Sequence, residues 1–585
     1  IEIRLGKKIS LMNRPTMVAL QDDYSHFTSK IKQDAPQDST DQLQNLETVR
    51  RDRDYELFYI RKEDGAPYFS TDLLRHMRLI SDFETDGESF EEDPLLQVRT
   101  MMDRDLQASS QQMLKHCHHL VTDFYKVYKR FSSNDLAGSL SQAIMALLLA
   151  ANPRNLLQNT MNKSCQQYFE DFLFFIRASF HTDEYQKFVA YPPEKSDKIA
   201  HLLLNLTHML THELYVRTGG VKQEAVGLIH RTTRKGSEPA SAVHSKGDTI
   251  WSQLSIDDEN YRSRLAKFPS GPLFKTLDLV RFGESEPMPF DPIVQGNIPM
   301  ELFAMNGKNR PIHFLKMASP TRQWVINKAE ILDEIRGMLR YYNSTSPKQK
   351  HLMINLQDRT SWKEFIRCKA LEEMQKNAEF NPVLVVATLA KDTDFYSQAT
   401  QYAEMDKAEL FFGSFLKQFD AAEGQGFYFP ATFKASEMSG FVQSLIPIIH
   451  RHFFGKSNTL SRRGREDFIE IVYQFIALKL IDHYNPTSVS FTCKDALDTG
   501  AAASAMFFAF IHLLKGEFAE KKNVDYFRWL LYAPSLFVRE RALDPERLNR
   551  ALTSLERFDE GMKEHRKAIL RDLEGLFSSK LLESL

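Results

Sequence analysis

Cys493 stands at the end of a short β-branched and aromatic run, Ser488–Thr492, and is followed by Lys494-Asp495-Ala496-Leu497-Asp498-Thr499-Gly500. A stretch of small and apolar residues, Ala501 to Leu514, comes next. The order reads strand, polar loop, helix N-terminus. Loop amides in such a turn point inward, and the first helical turn adds partial positive charge, so the unit is a cradle for an anion. A thiol placed there is expected to have its thiolate stabilised and its pKa lowered, which makes Cys493 a nucleophile at neutral pH. The chemistry predicted is attack of sulfur on a phosphoryl group held by amides of the loop, up to Gly500.

Cysteine-dependent phosphatases carry Cys-x5-Arg, and the sixth position after Cys493 is Thr499. The arginine would bind two phosphoryl oxygens in a planar fork, whereas threonine offers one uncharged hydroxyl. Losing even an uncharged oxyanion donor costs on the order of a hundred- to a thousand-fold in rate. Three explanations stand: a natural pseudophosphatase, a substituted sequence, or an arginine brought from elsewhere. Arg359, Arg367, Arg462, Arg463 and Arg465 are the candidates. Asp498, just before the helix, reads as a helix N-cap. The plain alternative for Cys493 is a buried structural thiol.

The elements that must position the loop are read from periodicity. Residues 1–97 look irregular with short strands, and form the first part of a catalytic region. Residues 98–235 carry apolar residues at three- and four-residue spacing and read as a helical insertion or appendage. Residues 236–299 read as linker and return loops. Residues 300–535 hold the α/β core with the cysteine loop, and 536–585 a helical tail. Within the core, Met300 to Met317 is a hairpin signal around Asn306-Gly307. Val325–Tyr342, Thr360–Asn377, Asp394–Phe419, Ser436–Phe454 and Arg465–His483 read as helices, and Val524–Leu531 as a short one. His351–Leu356, Val383–Leu389 and Ser488–Thr492 read as buried strands. Alternating strands and helices predict a central, mostly parallel sheet covered on both faces, with ligands at the carboxyl ends of the strands, where Cys493 lies.

With 585 residues, 42% hydrophobic and 26% charged, the chain reads as globular. A formal charge of −2 gives no global basic field that would ask for nucleic acid. The four cysteines, Cys117, Cys165, Cys368 and Cys493, form no CxxC pair, which points to reduced thiols in a cytosolic type of environment rather than to zinc or disulfides. No apolar run is long enough to cross a bilayer. The chain begins at Ile1, so a piece of a longer protein is expected. His116-Cys117-His118-His119 cannot close one metal site on a helix, since adjacent side chains diverge. His208 and His212 share a face but lack a third ligand. The basic run His230 to Lys235 reads as a solvated linker, and Phe507, Phe508 and Phe510 as core.

The loop Cys-Lys-Asp-Ala-Leu-Asp at Cys493 to Asp498, with a strand before it and small residues opening the next helix, resembles the active loop of bacterial effector phosphoinositide phosphatases of the SidP type. These share loop logic with myotubularins, Cys-x-x-Gly-x-Asp-Arg, and with SopB-like effectors, Cys-Lys-Ser-Gly-Lys-Asp-Arg-Thr-Gly. The resemblance covers roughly Met300 to Leu531. It implies a phosphatase-like α/β fold, a phosphoinositide or inositol phosphate as substrate, and no metal or cofactor. Cys493 would be the nucleophile and Asp498 the general acid. Lys494, Asp495, Ala496, Leu497, Thr499 and Gly500 would bind substrate, with Lys494 and Asp495 shaping selectivity. It further implies a peripheral membrane surface, a host protein bound by the helical block, and secretion by a bacterium into a host cell. The alternative is a pseudophosphatase module that binds phosphorylated headgroups without cleaving them.

Overall fold

Hydrophobic periodicity accounts for most of the chain's architecture. The computed structural model describes residues 94–584, apart from 132, 161–162, 234–248, 266–290, 294–295, 326, 363 and 421–423. Residues 1–93 of the first reading, and 234–248 and 266–290 of the linker readings, therefore lie outside the described residues; 94–97 instead open a helix, His230–Thr233 end one with Thr232 and Thr233 buried, and Ile250–Leu265 is a helix rather than linker. The helices before the sheet are α1 (Pro94–Val127), α2 (Asp135–Ala150), α3 (Cys165–Phe180), α4 (Asp183–Ala190), α5 (Lys198–Val216), α6 (Lys222–Thr233) and α7 (Ile250–Leu265). Their starts follow capping chemistry. Ser164 and Gln167 close a capping box on α3, and the Asp197 side chain accepts from the Ala200 amide at the head of α5.

Strands β1 (Met300–Asn306) and β2 (Pro311–Lys316) form the expected antiparallel hairpin. Next come β3 (Thr321–Val325), β4 (Lys328–Ile331), α8 (Asp333–Ser344), β5 (His351–Asn355), α9 (Phe365–Lys376), β6 (Leu384–Thr388), α10 (Ala408–Asp420), α11 (Ala435–Phe453) and α12 (Arg462–Tyr484). The chain then enters β7 (Ser488–Thr492), α13 (Thr499–Lys515), α14 (Lys521–Arg539), α15 (Pro545–Leu573) and α16 (Ser579–Ser584). The five-stranded sheet has the order β1-β2-β7-β5-β6, parallel except for the first pair.

Three helical readings are corrected. Val325–Tyr342 begins instead as the β3–β4 hairpin, and α8 starts only at Asp333, where two acidic residues suit a helix N-terminus. Asp394–Phe419 is broken: Gln398 and Thr400 have positive φ, a single 3-10 turn follows, and α10 begins at Ala408. Val524–Leu531 is the middle of a helix that continues past Pro534 to Arg539.

Side chains alternate across the sheet and feed two cores. Leu352, Ile354, Val385, Ala387, Val489 and Phe491 pack with α10 to α15. Leu315, Met353, Leu384 and Val386 pack on the other face with Leu203, Leu206, Leu210 and Leu214 of α5 and with Phe169 and Phe172 of α3. The helices before the sheet thus share a core with it. On that second face β7 presents Ser488, Ser490 and Thr492, all buried. They are satisfied laterally. His351 bridges Ser488 (2.8 Å) and Ser490 (3.1 Å), Tyr342 meets Ser488 (2.9 Å), and Ser490 meets Thr492 (2.8 Å). Burial holds the His351 imidazole down to about 3, so it stays neutral.

Candidate functional site

The β7 strand delivers Cys493 to the carboxyl edge of the sheet, and α13 starts six residues later at Thr499. The intervening loop wraps the sulfur. The backbone amides of Gly500 and Ala496 lie on the sulfur's side of the loop and favour its thiolate. Ala496 reaches this arrangement with φ of 58°, a left-handed conformation that costs a residue with a Cβ. At Gly500 even one added carbon would lie 2.9 Å from the Phe491 carbonyl oxygen and 3.3 Å from Sγ. The Cys493 carbonyl accepts from the Ser319 amide at 2.7 Å, and the Asp495 carbonyl from Asn297 Nδ2 at 2.9 Å. The Leu497 amide is used within the loop, donating to Asp495 Oδ1 at 3.2 Å.

The expected lowering of the thiol pKa is not what these surroundings produce. Cys493 is buried, and burial, with the Asp495 carboxylate next, pushes the thiol well above its ordinary value despite the two amides. Asp495, Ala496, Leu497 and Gly500 are buried as well, whereas Lys494, Asp498 and Thr499 are partly open to solvent. The loop therefore shows Lys494, Asp498 and Thr499 outward and keeps the sulfur inside.

Asp498 occupies the N-cap position of α13, yet its side chain makes no cap hydrogen bond. Its oxygens are taken by the Arg541 fork, with Nη1 to Oδ1 at 3.1 Å and Nη2 to Oδ2 at 2.7 Å, and by the Asp544 amide at 2.8 Å. Burial, then the Asp495 carboxylate, pushes the Asp498 carboxyl up to about 7, and the Asp544 amide pulls the other way. The two-point contact with Arg541 opposes the rise and favours the ionised form in this arrangement.

Arg541 was not among the arginines that the sequence suggested for the role vacated at Thr499. Those have other work. Arg359 pairs with Glu372 at 2.8 Å, and Arg462 donates to the Ser397 carbonyl at 3.0 Å. Arg463 pairs with Glu466 at 3.3 Å, and Arg465 is buried against Gln398, Asp406 and backbone carbonyls. Arg367 braces the loop from behind: its Nε donates to Gln357 (2.7 Å), Gln357 donates to Ser319 Oγ (3.1 Å), and the Ser319 amide holds the Cys493 carbonyl. Arg539 Nη2 stands 3.9 Å from Asp495 Oδ2. Arg539 and Arg541 follow the loop by some forty residues, and no motif spacing ties them to it. Their one signal is the charged run Arg539-Glu540-Arg541 at the end of an apolar helix.

Three of the histidines that the sequence singled out have partners within the fold. His116 Nδ1 lies 2.6 Å from Glu213, His208 Nε2 lies 3.0 Å from the Tyr185 hydroxyl, and His212 stacks on Tyr341. Among the described residues no group of three or more His, Cys, Asp or Glu is placed to hold a metal ion, and no helix is long and apolar enough to cross a membrane. Phe507, Phe508 and Phe510 pack in the core against Phe314, Phe303 and Phe475. Compared with family models, curated proteins and solved structures, the chain matches none of them.

Proposed function

We propose that this protein is phosphatase-like and binds phosphorylated inositol headgroups at the Cys493–Gly500 loop, and that its closed arrangement holds a phosphoryl group without cleaving it. The observation that carries this reading is the close approach of Gly500, in the first turn of α13, to the sulfur at the carboxyl end of the central strand, where a Cβ at Gly500 would lie 3.3 Å from Sγ. A binder needs donors and positive charge, which Lys494, Arg541 and the loop supply. A cysteine nucleophile needs a thiolate, and the buried thiol disfavours one.

A second reading is supported by the Arg541 fork. If a phosphoryl group draws the guanidinium off Asp498, the partly buried carboxyl loses its counter-charge and takes up a proton, since its environment pushes it to about 7. Arg541 would then hold the phosphoryl oxygens. Cys493 thiolate would attack phosphorus, and the phosphorus–oxygen bond would break as Asp498 protonates the leaving inositol oxygen. Water would hydrolyse the phosphocysteine to thiolate and inorganic phosphate.

The experiment pairs calorimetric binding of inositol polyphosphates, and of vesicles carrying phosphoinositides, with phosphate release. It compares the chain as it stands with Cys493→Ser, Thr499→Arg and Arg541→Ala. The binding reading expects saturable binding without release, weakened by Arg541→Ala and retained in Cys493→Ser. Thr499→Arg then restores the missing fork but leaves the sulfur protonated, and release stays absent. Release that vanishes in both Cys493→Ser and Arg541→Ala would establish the second reading in its place. Failure to bind any phosphorylated headgroup overturns both.

A further inference from the structure

A cavity separate from the cysteine loop lies between the β1–β2 edge of the sheet and helices α1, α6 and α14. It has a volume of about 70 Å3. Most of its wall is hydrocarbon, with Met102, Met300, Leu302, Trp529 and Phe537 among the residues that form it. Three cations also belong to the wall: Arg217, Lys222 and Lys316. Two of them are committed. Arg217 donates to the Pro299 carbonyl (2.8 Å), to Asp105 (2.7 Å) and to Ser109 (3.0 Å). Lys222 donates to the Leu302 carbonyl (2.9 Å) and to the Tyr526 hydroxyl (2.8 Å).

Lys316 differs. It ends β2, is only 8% exposed, and its ammonium makes no hydrogen bond or ion pair among the described residues. Its charged neighbours are the Asp105–Arg217 pair on one side and the Asp495–Arg539 pair on the other, so each nearby carboxylate has an arginine already. A buried ammonium left without a partner is costly, and natural interiors tolerate one where something else completes it. Here the wall beside it is largely apolar, which specifies the partner the ammonium would take: one negative head on a small hydrocarbon body.

We propose that this cavity is a binding site for a small amphipathic carboxylate, its head paired with Lys316 and its apolar part against Met300, Leu302 and Trp529. The volume suits a short aliphatic chain and is too small for a ring, since benzene takes a cavity of about 150 Å3. Asp495, which the Lys316 charge senses, belongs to the cysteine loop, and Asn297, which holds the Asp495 carbonyl, follows Gly296 of the cavity wall. An occupant would sit behind the loop rather than in it, so this site does not depend on the phosphoryl reading.

The test uses the full chain, with hexanoate as the probe and hexan-1-ol as its uncharged counterpart, followed by calorimetry. Hexanoate is expected to bind saturably and at least tenfold more tightly than hexan-1-ol. Lys316→Met, close in shape and uncharged, should lose at least tenfold for hexanoate and leave hexan-1-ol unchanged. Ala533→Phe fills the cavity from α14 without altering its charge and should weaken both probes at least tenfold. Hexanoate that does not saturate, or that binds Lys316→Met or Ala533→Phe as it binds the unmodified chain, overturns the proposal. Because the two variants act through different properties, loss of folding in one leaves the other decisive.

Discussion

A methyl group at Gly500 would press on the Phe491 carbonyl at 2.9 Å, on the Ala496 Cβ at 3.2 Å and on the cysteine sulfur at 3.3 Å. Two of these three neighbours are fixed by the strand and by a strained residue, so Gly500→Ala should move the start of α13 away from Sγ. The expected cost is about 1–3 kcal/mol, read as a lower midpoint of thermal unfolding, together with faster alkylation of Cys493 by iodoacetamide. An unchanged midpoint would mean that the loop gives way freely. Lys316 makes a second prediction at this scale. Burial first, then repulsion from Arg217 and Arg539, lowers it from an ordinary 10.5 to about 7, while Asp495 and Asp105 act in the opposite sense. The unfolded chain keeps this proton up to about pH 10.5 and the folded chain releases it near pH 7. Stability from this group therefore rises with pH across that window and is level below it. Each pH unit is worth about 1.4 kcal/mol, so Lys316→Met should gain several kcal/mol over the unmodified chain at pH 6 and nothing above pH 10.5. Melting both proteins from pH 6 to 10.5 checks the slope. The cysteine loop was legible because strand, small polar loop and apolar helix are contiguous in sequence. The Arg541 fork was not, because it reaches Asp498 across forty-three residues of chain and only folding brings them together. The thiol's direction was misread for a related reason: local amides can be anticipated from sequence, whereas the burial that overrides them is a property of the packed molecule.

At the scale of elements, strong local signals survived and weak ones yielded. The run from Ala501 to Leu514 became α13, buried along almost its entire length, and Arg465–His483 became the core of α12. The β3–β4 hairpin went unread because Thr321–Val325 is three polar residues followed by two apolar ones, with no alternation to stand out beside the longer helical pattern after it. The helix read as Val524–Leu531 runs on through Pro534 as α14. A proline removes one helical hydrogen bond at a cost of about 3 kcal/mol, and the packing of Trp529, Leu530, Leu531, Tyr532 and Leu536 into the core outweighs it. Elements distant in sequence are joined by a buried ionic knot. Glu470 of α12 accepts from Arg550 of α15 at 2.7 Å, pairs with Lys391 beyond β6 at 3.3 Å, and accepts from the Tyr396 hydroxyl. Burial works against this carboxylate, but Lys391 and Arg550 outweigh it and hold the group down to about 2. Its stabilisation is therefore fully present above the ordinary carboxylate value of 4.5 and is lost as pH falls toward 2. Glu470→Gln strands two buried cations and should cost roughly 3–5 kcal/mol at pH 7. The difference in melting temperature between the two proteins should narrow as pH is lowered from 4.5, and a constant difference would show that Glu470 carries no net charge in the folded chain.

For the whole molecule, the decisive arrangement is that one sheet serves two cores. Composition and periodicity predicted helices before the sheet but could not say whether they pack on it. The spacing that makes an amphipathic helix is the same whether its partner is another helix or a strand. In the folded chain, Leu210 of α5 is fully buried in the cluster that also holds Met353 of β5 and Val386 of β6, and the opposite side of the same two strands closes the second core. A lesion in the helices should therefore be felt through the sheet. Leu210→Ala is expected to destabilise by about 2–5 kcal/mol. Amide exchange should then quicken in β5 and β6 together with α5, because the strands cannot keep their protection once one of their two faces is loosened. If the helices before the sheet unfolded as an independent unit, exchange would quicken in α3 and α5 while Met353, Ile354 and Val386 kept their protection. Site-resolved hydrogen exchange on the unmodified chain and on Leu210→Ala separates these outcomes. The result also bears on the cysteine loop, since β7, which delivers Cys493, is the strand next to β5 in the same sheet.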